Sequence, residues 1–187
     1  MMLERDAWSS LSFAFKVDAA EALAVSGLER GSIGHATDKG SRLTLCERSA
    51  AGAMILSRVR VNLDPEQWRV IQAFFTVPVP HKIQEKQQAV RYMAELARER
   101  LHSGTKRRFS PWWVLDVTSG FCGLRRHHTP AWWAEHMGRT SETVQRWENG
   151  GQTRPGLNQI LERILSRALC YADQVLSDAH YLEPIPR

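Results

Sequence analysis

The sequence predicts an all-α protein, and three observations support this class. Apolar residues recur every three or four positions from Leu157 to Leu176, which is the spacing of one helix face. Thr129 and Pro130 are the residue types favoured as the N-cap and first residue of a helix. The pattern along the chain is otherwise almost entirely helical, and the exception is residues 59–63, which alternate in the manner of a strand.

Composition and length exclude several classes of protein. The chain has 187 residues, of which 43% are apolar and 24% are charged, so it is neither disordered nor collagen-like. Its three cysteines, Cys46, Cys122 and Cys170, are widely spaced and include no C-x-x-C pair, which favours a reduced compartment over a disulfide framework or a zinc site. No secretory signal is present, and the apolar stretch 50–56 is too short to span a bilayer. We therefore expect a cytoplasmic protein with no membrane partner.

The apolar patterns and the turn residues divide the chain into helical segments. Residues 5–24 predict one or two helices, Leu43 to Val61 suits another, and a short helix begins at Pro65 after Asp64. A longer helix extends from about Lys82 to Leu101 and precedes a basic, turn-rich segment. The predicted organisation is a helical N-terminal domain (1–103) with a loop at 25–41, a basic linker (104–111), and a C-terminal domain (112–187) ending in a long helix.

Residues 129–150 have the pattern of two short helices joined by a tight turn. The first helix begins after Thr129 and ends at Gly138, because glycine adopts the positive φ that such a turn needs. Thr140 caps the second helix, which ends at Gly150. Two short helices joined by a three- or four-residue turn containing glycine form a helix-turn-helix unit. The predicted inward side chains are Trp133, Ala134, Met137, Val144 and Trp147.

The spacing within this unit has a family counterpart. Ala134 is small where the two helices cross, Gly138 follows four positions later, and Val144 lies six positions after that. This spacing resembles the Cro/C1-type helix-turn-helix family of phage and bacterial repressors, and so does the sequence WENG with RPGL downstream. The resemblance covers roughly residues 124–165, with departures at Arg139, where the family usually has an apolar residue, and in the helix that precedes the unit. It implies that the second helix binds double-stranded DNA in the major groove.

Positive charge is concentrated just before this unit. Between Arg98 and Arg126 there are seven basic and two acidic residues, an excess equal to the +5 of the whole chain. A basic cluster is usually a solvated surface, but its place beside a DNA-reading motif favours contact with phosphates. The predicted phosphate contacts are Lys106, Arg107, Arg108, Arg125 and Arg126 from this segment, and Thr129, Arg139, Thr140 and Arg154 from the helical unit and the residues after it.

Base contacts are predicted on the outward face of the second helix. Gln145 is expected to pair with adenine, Arg146 with guanine, and Glu142 to accept a hydrogen bond from cytosine. The predicted base-reading residues are Ser141, Glu142, Gln145 and Arg146. The alternative is a helical hairpin inside a core that contacts no nucleic acid.

Two further features leave alternatives open. The apolar stripe from Leu157 to Leu176 is typical of core packing and also of a dimer interface, since helix-turn-helix proteins often bind paired half-sites. Trp112, Trp113 and Trp132 either fill a core or stack on the bases of a single strand.

The predicted function is sequence-specific binding of double-stranded DNA in transcriptional regulation, with a homodimer through the C-terminal helix as an additional hypothesis. The order of segments also resembles, more weakly, phage late antitermination proteins of the Q type, which adds RNA polymerase as an alternative partner. A replication or partition protein of a mobile element is a third alternative. We expect no enzyme activity, no catalytic residue, no metal and no cofactor, because His136, Arg139 and Tyr171 match a recombinase only in a common spacing, and Cys122, His127 and His128 lack further ligands.

Overall fold

Each regular element in the computed structural model is an α-helix, which confirms the predicted class within the residues that the structure describes: 7–25, 44–102, 109–151 and 154–178. None of the helices in these ranges is long and apolar enough to cross a membrane. In chain order the helices are α1 (Ala7–Val25), α2 (Leu45–Asn62), α3 (Pro65–Phe75), α4 (Ile83–His102), α5 (Pro111–Phe121), α6 (Pro130–His136), α7 (Ser141–Asn149) and α8 (Leu157–Asp178).

Local capping chemistry explains where the second and third helices begin and end. The Thr44 hydroxyl accepts a hydrogen bond from the Glu47 backbone at 3.3 Å, and the Glu47 carboxylate accepts one from the Thr44 backbone at 2.7 Å, so a capping box starts α2. The alternating residues 59–63 do not form a strand, because α2 continues to Asn62 and the Leu63 N–H donates to the Val59 carbonyl. Pro65 begins α3 as predicted.

The described residues divide into two compact units, each assembled from separate segments. The first contains the described parts of residues 1–68, 75–84 and 169–187, and the second contains those of residues 69–74 and 85–168. These units divide the chain differently from the predicted domains 1–103 and 112–187, because most of α4 belongs to the second unit and the end of α8 to the first. Residues 26–41 of the predicted loop, and residues 104–108 of the predicted linker, lie outside the described residues.

Aromatic packing and a close helix contact organise the first unit. The Phe15 ring stacks on Trp68 at 5.9 Å and on Phe75 at 6.1 Å between centroids. Helices α1 and α2 approach closely at Gly52, where an added Cβ would lie 3.3 Å from the Val17 side chain. The N–H of Ala7 donates to the Asp173 carboxylate at 3.2 Å, so residues from near both ends of the chain meet in this unit.

The C-terminal apolar stripe packs inside the chain. Its residues within the second unit are buried, and Ala172 and Leu176 are buried in the first unit. The exposed face of α8 is polar at most positions and includes Glu162, Arg163 and Arg167. This stripe therefore packs in the core of the single chain. The homodimer through α8 stays a prediction, and the described residues of α8 show no exposed apolar stripe that would support it. The buried stripe residues of the second unit are Leu157, Ile160, Leu161, Ile164, Leu165 and Ala168.

The connection from α7 to α8 allows no side chain at two of its three glycines, Gly150 and Gly156. Gly150 has a φ of +91°, and a Cβ there would lie 2.8 Å from the Gln159 Oε1 and from the Gly156 nitrogen. At Gly156 an added Cβ would lie 2.6 Å from the Glu148 carbonyl oxygen and would overlap the Gly150 nitrogen. The end of α7 and the start of α8 are therefore in backbone contact.

We expect Gly156→Ala to lower the free energy of unfolding by about 3 kcal/mol, because the methyl group must displace backbone atoms rather than a flexible side chain. Thermal or urea unfolding followed by circular dichroism measures this change. The matched control is Gly151→Ala, whose Cβ would meet only the Arg146 stem at 3.7 Å and should change stability by less than about 0.5 kcal/mol. Equal effects of the two substitutions would contradict the backbone contact.

Candidate nucleic-acid interface

Helices α6 and α7 lie at the two positions predicted for the short helices, and the turn between them is hydrogen-bonded. Gly138 has a φ of +60°. The Arg139 N–H donates to the Ala134 carbonyl at 2.8 Å and the Gly138 N–H to the Glu135 carbonyl at 3.1 Å, which is the Schellman arrangement of a glycine-terminated helix. The four residues from Met137 to Thr140 therefore connect the helices with a fixed direction.

Threonine side chains fix the starts of both helices. The Thr129 Oγ1 accepts a hydrogen bond from the Trp132 N–H, and the Thr140 Oγ1 accepts one from the Thr143 N–H, both at 3.3 Å. Both threonines are exposed. Their hydroxyls act as helix caps in the free protein, and their predicted role as phosphate contacts adds to this structural role.

The side chains predicted to face inward from the two helices are apolar. Trp133, Ala134 and Val144 are buried as predicted, and Met137 and Trp147 are half-buried. The Trp147 ring meets the Trp113 ring of α5 edge to face at 6.2 Å and the Phe109 ring at 5.3 Å. Packing against α5 therefore supports the face of α7 opposite to its polar one.

A buried carboxylate connects α5 with α6 and with the segment between them. Asp116 lies in α5 and is only 4% exposed. Its Oδ1 accepts a hydrogen bond from the His127 N–H at 2.6 Å, and its Oδ2 accepts one from the Trp133 Nε1 at 2.8 Å. Both oxygens thus accept from donors that lie on different parts of the chain, which fixes the position of α6 on α5.

Arg126 extends this network to α7. Its two terminal nitrogens donate to the two carboxylate oxygens of Glu148 at 3.0 and 2.9 Å, and its Nε lies 3.6 Å from the Asp116 Oδ2. The hydrogen bonds with Glu148 raise the pKa of the Arg126 guanidinium above its usual range. Glu148 is 5% exposed, so this is a bidentate pair with a buried carboxylate.

The position of Arg126 revises its predicted role. The sequence predicts a phosphate contact, but the guanidinium faces Glu148 and Asp116, and its stem lies over Gly120, where a Cβ would come within 2.6 Å of the Arg126 Cγ. Two carboxylates therefore lie against the cation in the free chain. Arg126 therefore joins α5, α7 and the segment before α6, and its neighbour Arg125 is the exposed member of the pair.

Three rings on the outer side of α6 form a stacked column. The Trp132 ring lies 3.6 Å from the His128 ring and 4.9 Å from the His136 ring between centroids, with interplanar angles of 12° and 9°. Trp133 is nearly perpendicular to all three rings, at angles between 83° and 88°. The column covers the buried Trp133, whose indole N–H is held by Asp116. Sequence reasoning missed this column, although the spacing of residues 128, 132 and 136 by four is a signal for it.

The three tryptophans whose role the sequence left open differ in exposure. Trp113 is buried and belongs to the core, and Trp132 is 40% exposed within the column. Trp112 is 72% exposed at the start of α5. Of these three rings, Trp112 is therefore the most exposed and the one that best suits the single-strand stacking alternative.

Positive charge is available around the two helices. Arg125, Arg139 and Arg154 are exposed, and none of the three forms an ion pair with any residue that the structure describes. Lys106, Arg107 and Arg108 lie outside the described residues. The three exposed arginines are free to bind anions, in contrast to Arg126.

The predicted base-reading residues lie along one side of α7. Glu142, Gln145 and Arg146 are exposed and Ser141 is half-buried. The Arg146 guanidinium donates to the Glu142 carboxylate at 3.1 Å, one helical turn away. At the end of the helix the Asn149 side chain accepts a hydrogen bond from Asn158 at 3.1 Å. The side of α7 that faces solvent therefore offers both donors and acceptors.

Cys122, considered from the sequence together with His127 and His128, lies in the core. Cys122 is buried, its sulfur lies 3.7 Å from that of Met93, and burial raises the pKa of its thiol to about 12. Across the described ranges, no group of three or more His, Cys, Asp or Glu side chains is placed to hold a metal ion. Cys122 is thus a core residue of the second unit.

Comparison of the chain with protein-family models, with curated proteins and with solved structures finds no match.

We expect Asp116→Asn to lower the free energy of unfolding by about 1–3 kcal/mol. Both Asp116 oxygens accept hydrogen bonds, so an asparagine must turn its NH₂ toward the His127 N–H or the Trp133 Nε1–H, and one buried donor loses its acceptor. Chemical denaturation followed by tryptophan fluorescence measures the loss. Glu135→Gln is the matched control, because Glu135 is exposed on α6. Equal stability of the two variants would show that the Asp116 hydrogen bonds contribute nothing.

Proposed function

We propose that this protein binds double-stranded DNA sequence-specifically through α6 and α7, with α7 in the major groove, and that it regulates transcription by occupying its site. The observation that carries the proposal is the polar side of α7. Gln145 and Arg146 are exposed on a helix whose opposite side is packed on α5 and whose start is capped by Thr140. A helix of this kind fits the major groove and brings its outward side chains to base edges.

The rigidity of the helix pair supports the proposal. In the turn, the N–H groups of Gly138 and Arg139 both donate to carbonyls of α6. The Arg126–Glu148 pair joins α7 to the segment that precedes α6. A reading helix must hold its side chains in a defined position relative to the phosphates, because base contacts depend on that register. The partly buried ion pair and the turn supply such a position before DNA is present.

The distribution of charge supports DNA as the partner. Arg125, Arg139 and Arg154 are exposed and unpaired among the described residues. Two carboxylates of this region are paired, Glu148 with Arg126 and Glu142 with Arg146, and Glu135 is exposed on α6. Free cations beside a helix with hydrogen-bonding side chains match the phosphates and base edges of a duplex.

The experiment that tests the proposal is selection from a pool of random-sequence duplex DNA by the full chain, followed by affinity measurement on the selected sequence. We expect a defined sequence to be enriched, and a symmetric sequence would indicate two copies per site. Placing that sequence over a promoter should change transcription from it in vitro. Absence of any enriched sequence would contradict the proposed function.

The double variant Gln145→Ala, Arg146→Ala should weaken binding to the selected sequence by about 2–6 kcal/mol, because each bidentate base contact contributes about 1–3 kcal/mol. Binding to unrelated DNA should weaken much less, since only one of the two residues is charged. Thermal unfolding should be nearly unchanged, because both side chains are exposed. If the double variant still enriches the same sequence, α7 is not the reading helix.

Alanine in place of Arg125, Arg139 or Arg154 should weaken binding to all DNA sequences alike. Each substitution should reduce the slope of log K against log salt concentration by about one, because one phosphate contact and its released counterion are lost. The control is Arg167→Ala, which removes an exposed arginine from α8 and should leave the slope unchanged. An unchanged slope in all three variants would exclude them as phosphate contacts.

A further inference from the structure

We propose that Glu142 is a positioning residue that holds Arg146 in place to read guanine, and that the DNA target carries a guanine at the base pair facing Arg146. This inference rests on the proposed function and deepens it by naming one base of the target. It also replaces the direct contact of Glu142 with cytosine that the sequence alone predicts. Two observations on α7 support it: the ion pair between the two side chains and the balance of charge.

The Arg146 side chain is held by an ion pair within α7. Its terminal nitrogen donates to the Glu142 carboxylate at 3.1 Å across one helical turn. An arginine whose guanidinium is restrained in this way loses less conformational freedom on binding than one that moves freely.

The ion pair leaves guanidinium donors for a base. Arginine has five N–H groups in a planar fork, and the contact with Glu142 occupies one terminal nitrogen. A guanine presents two acceptors, O6 and N7, on its major-groove edge and is the base that a bidentate arginine prefers. A carboxylate that fixes the plane of this fork therefore acts on base choice through Arg146.

Charge favours this role of Glu142 over a direct base contact. An unpaired carboxylate in the major groove lies near two phosphate backbones and is repelled by them. Pairing with Arg146 neutralises the carboxylate and at the same time aims the cation at the base edges rather than at a phosphate. Glu142 and Arg146 are both exposed, so nothing else within the described residues holds Arg146 in this orientation.

This role predicts different effects of Glu142→Ala on the preference for guanine and on the affinity for unrelated DNA. Preference for guanine at the base pair read by Arg146 should fall about threefold to tenfold, because the freed guanidinium also reaches phosphates and other bases. Affinity for unrelated DNA should stay equal or rise, since one negative charge is removed from the interface. A loss of folded protein would lower both quantities together.

The test uses the full chain and its selected duplex, with all four bases placed in turn at each position. The variants are Glu142→Ala, Glu142→Gln, Arg146→Ala and the double alanine variant. We expect Arg146→Ala to abolish the guanine preference at one base pair and Glu142→Ala to reduce it at the same base pair. Glu142→Gln should restore part of the preference, because its amide oxygen still accepts from the guanidinium. In the Arg146→Ala background, loss of Glu142 should have no further effect on base choice.

Each remaining outcome overturns the inference. If Glu142→Ala changes the preferred base at a different base pair, Glu142 reads a base itself. If it changes no base preference, the ion pair has no role in recognition. If the position governed by Arg146 is not guanine, the assigned base is wrong. These results differ from failure of the proposed function, in which the wild-type chain enriches no sequence.

Discussion

The geometry of the second unit depends on one partly buried ion pair, between Arg126 and the buried Glu148, together with the Asp116 carboxylate beside it. The three side chains come from α7, from α5 and from the segment after α5, and Trp133 of α6 donates to the same carboxylate. Removing water from two carboxylates and one guanidinium is costly, and only hydrogen bonds of good geometry repay it. The arrangement therefore tolerates few relative positions of the three helices.

This constraint explains why α6 and α7 can be short. Helices of seven and nine residues are marginal in isolation, because helix nucleation is unfavourable and few hydrogen bonds follow it. Here the threonine caps, the glycine turn and the packing on α5 supply the missing stabilisation. On the polar side of α7, the described contacts are the Glu142–Arg146 ion pair and the hydrogen bond from Asn158 of α8 to Asn149.

The sequence predicts the helix bounds of this region well and its polar network poorly. Thr129, Gly138 and Thr140 act through local chemistry, so their effect can be deduced from neighbouring residues alone. The partners of Asp116 lie 11 and 17 residues further along the chain, and no local rule pairs them. A lone carboxylate in the apolar segment around Val114 and Val117 does indicate a buried charge that needs a partner.

The exposed polar side of α7 followed from helical periodicity, whereas the position of Arg126 against Glu148 did not. Arg125 and Arg126 are chemically identical neighbours in a basic segment, and the sequence offers no means to tell which one points inward. The difference arises from Gly120, which leaves room for one stem, and from Glu148, which lies within reach of that side chain. Such a choice depends on the tertiary structure, as did the way in which the chain divides into units.

The separation along the chain of the residues that meet has a consequence for folding. The network that holds α5, α6 and α7 spans only residues 116 to 148, so its loops are short and cheap to close. The first unit instead joins Ala7 to Asp173, a separation of 166 residues. During synthesis, the segment with α5, α6 and α7 can therefore assemble before the residues around Asp173, which the first unit needs, have been synthesised. The contacts that join α5, α6 and α7 are thus local in the chain, whereas this contact of the first unit is not.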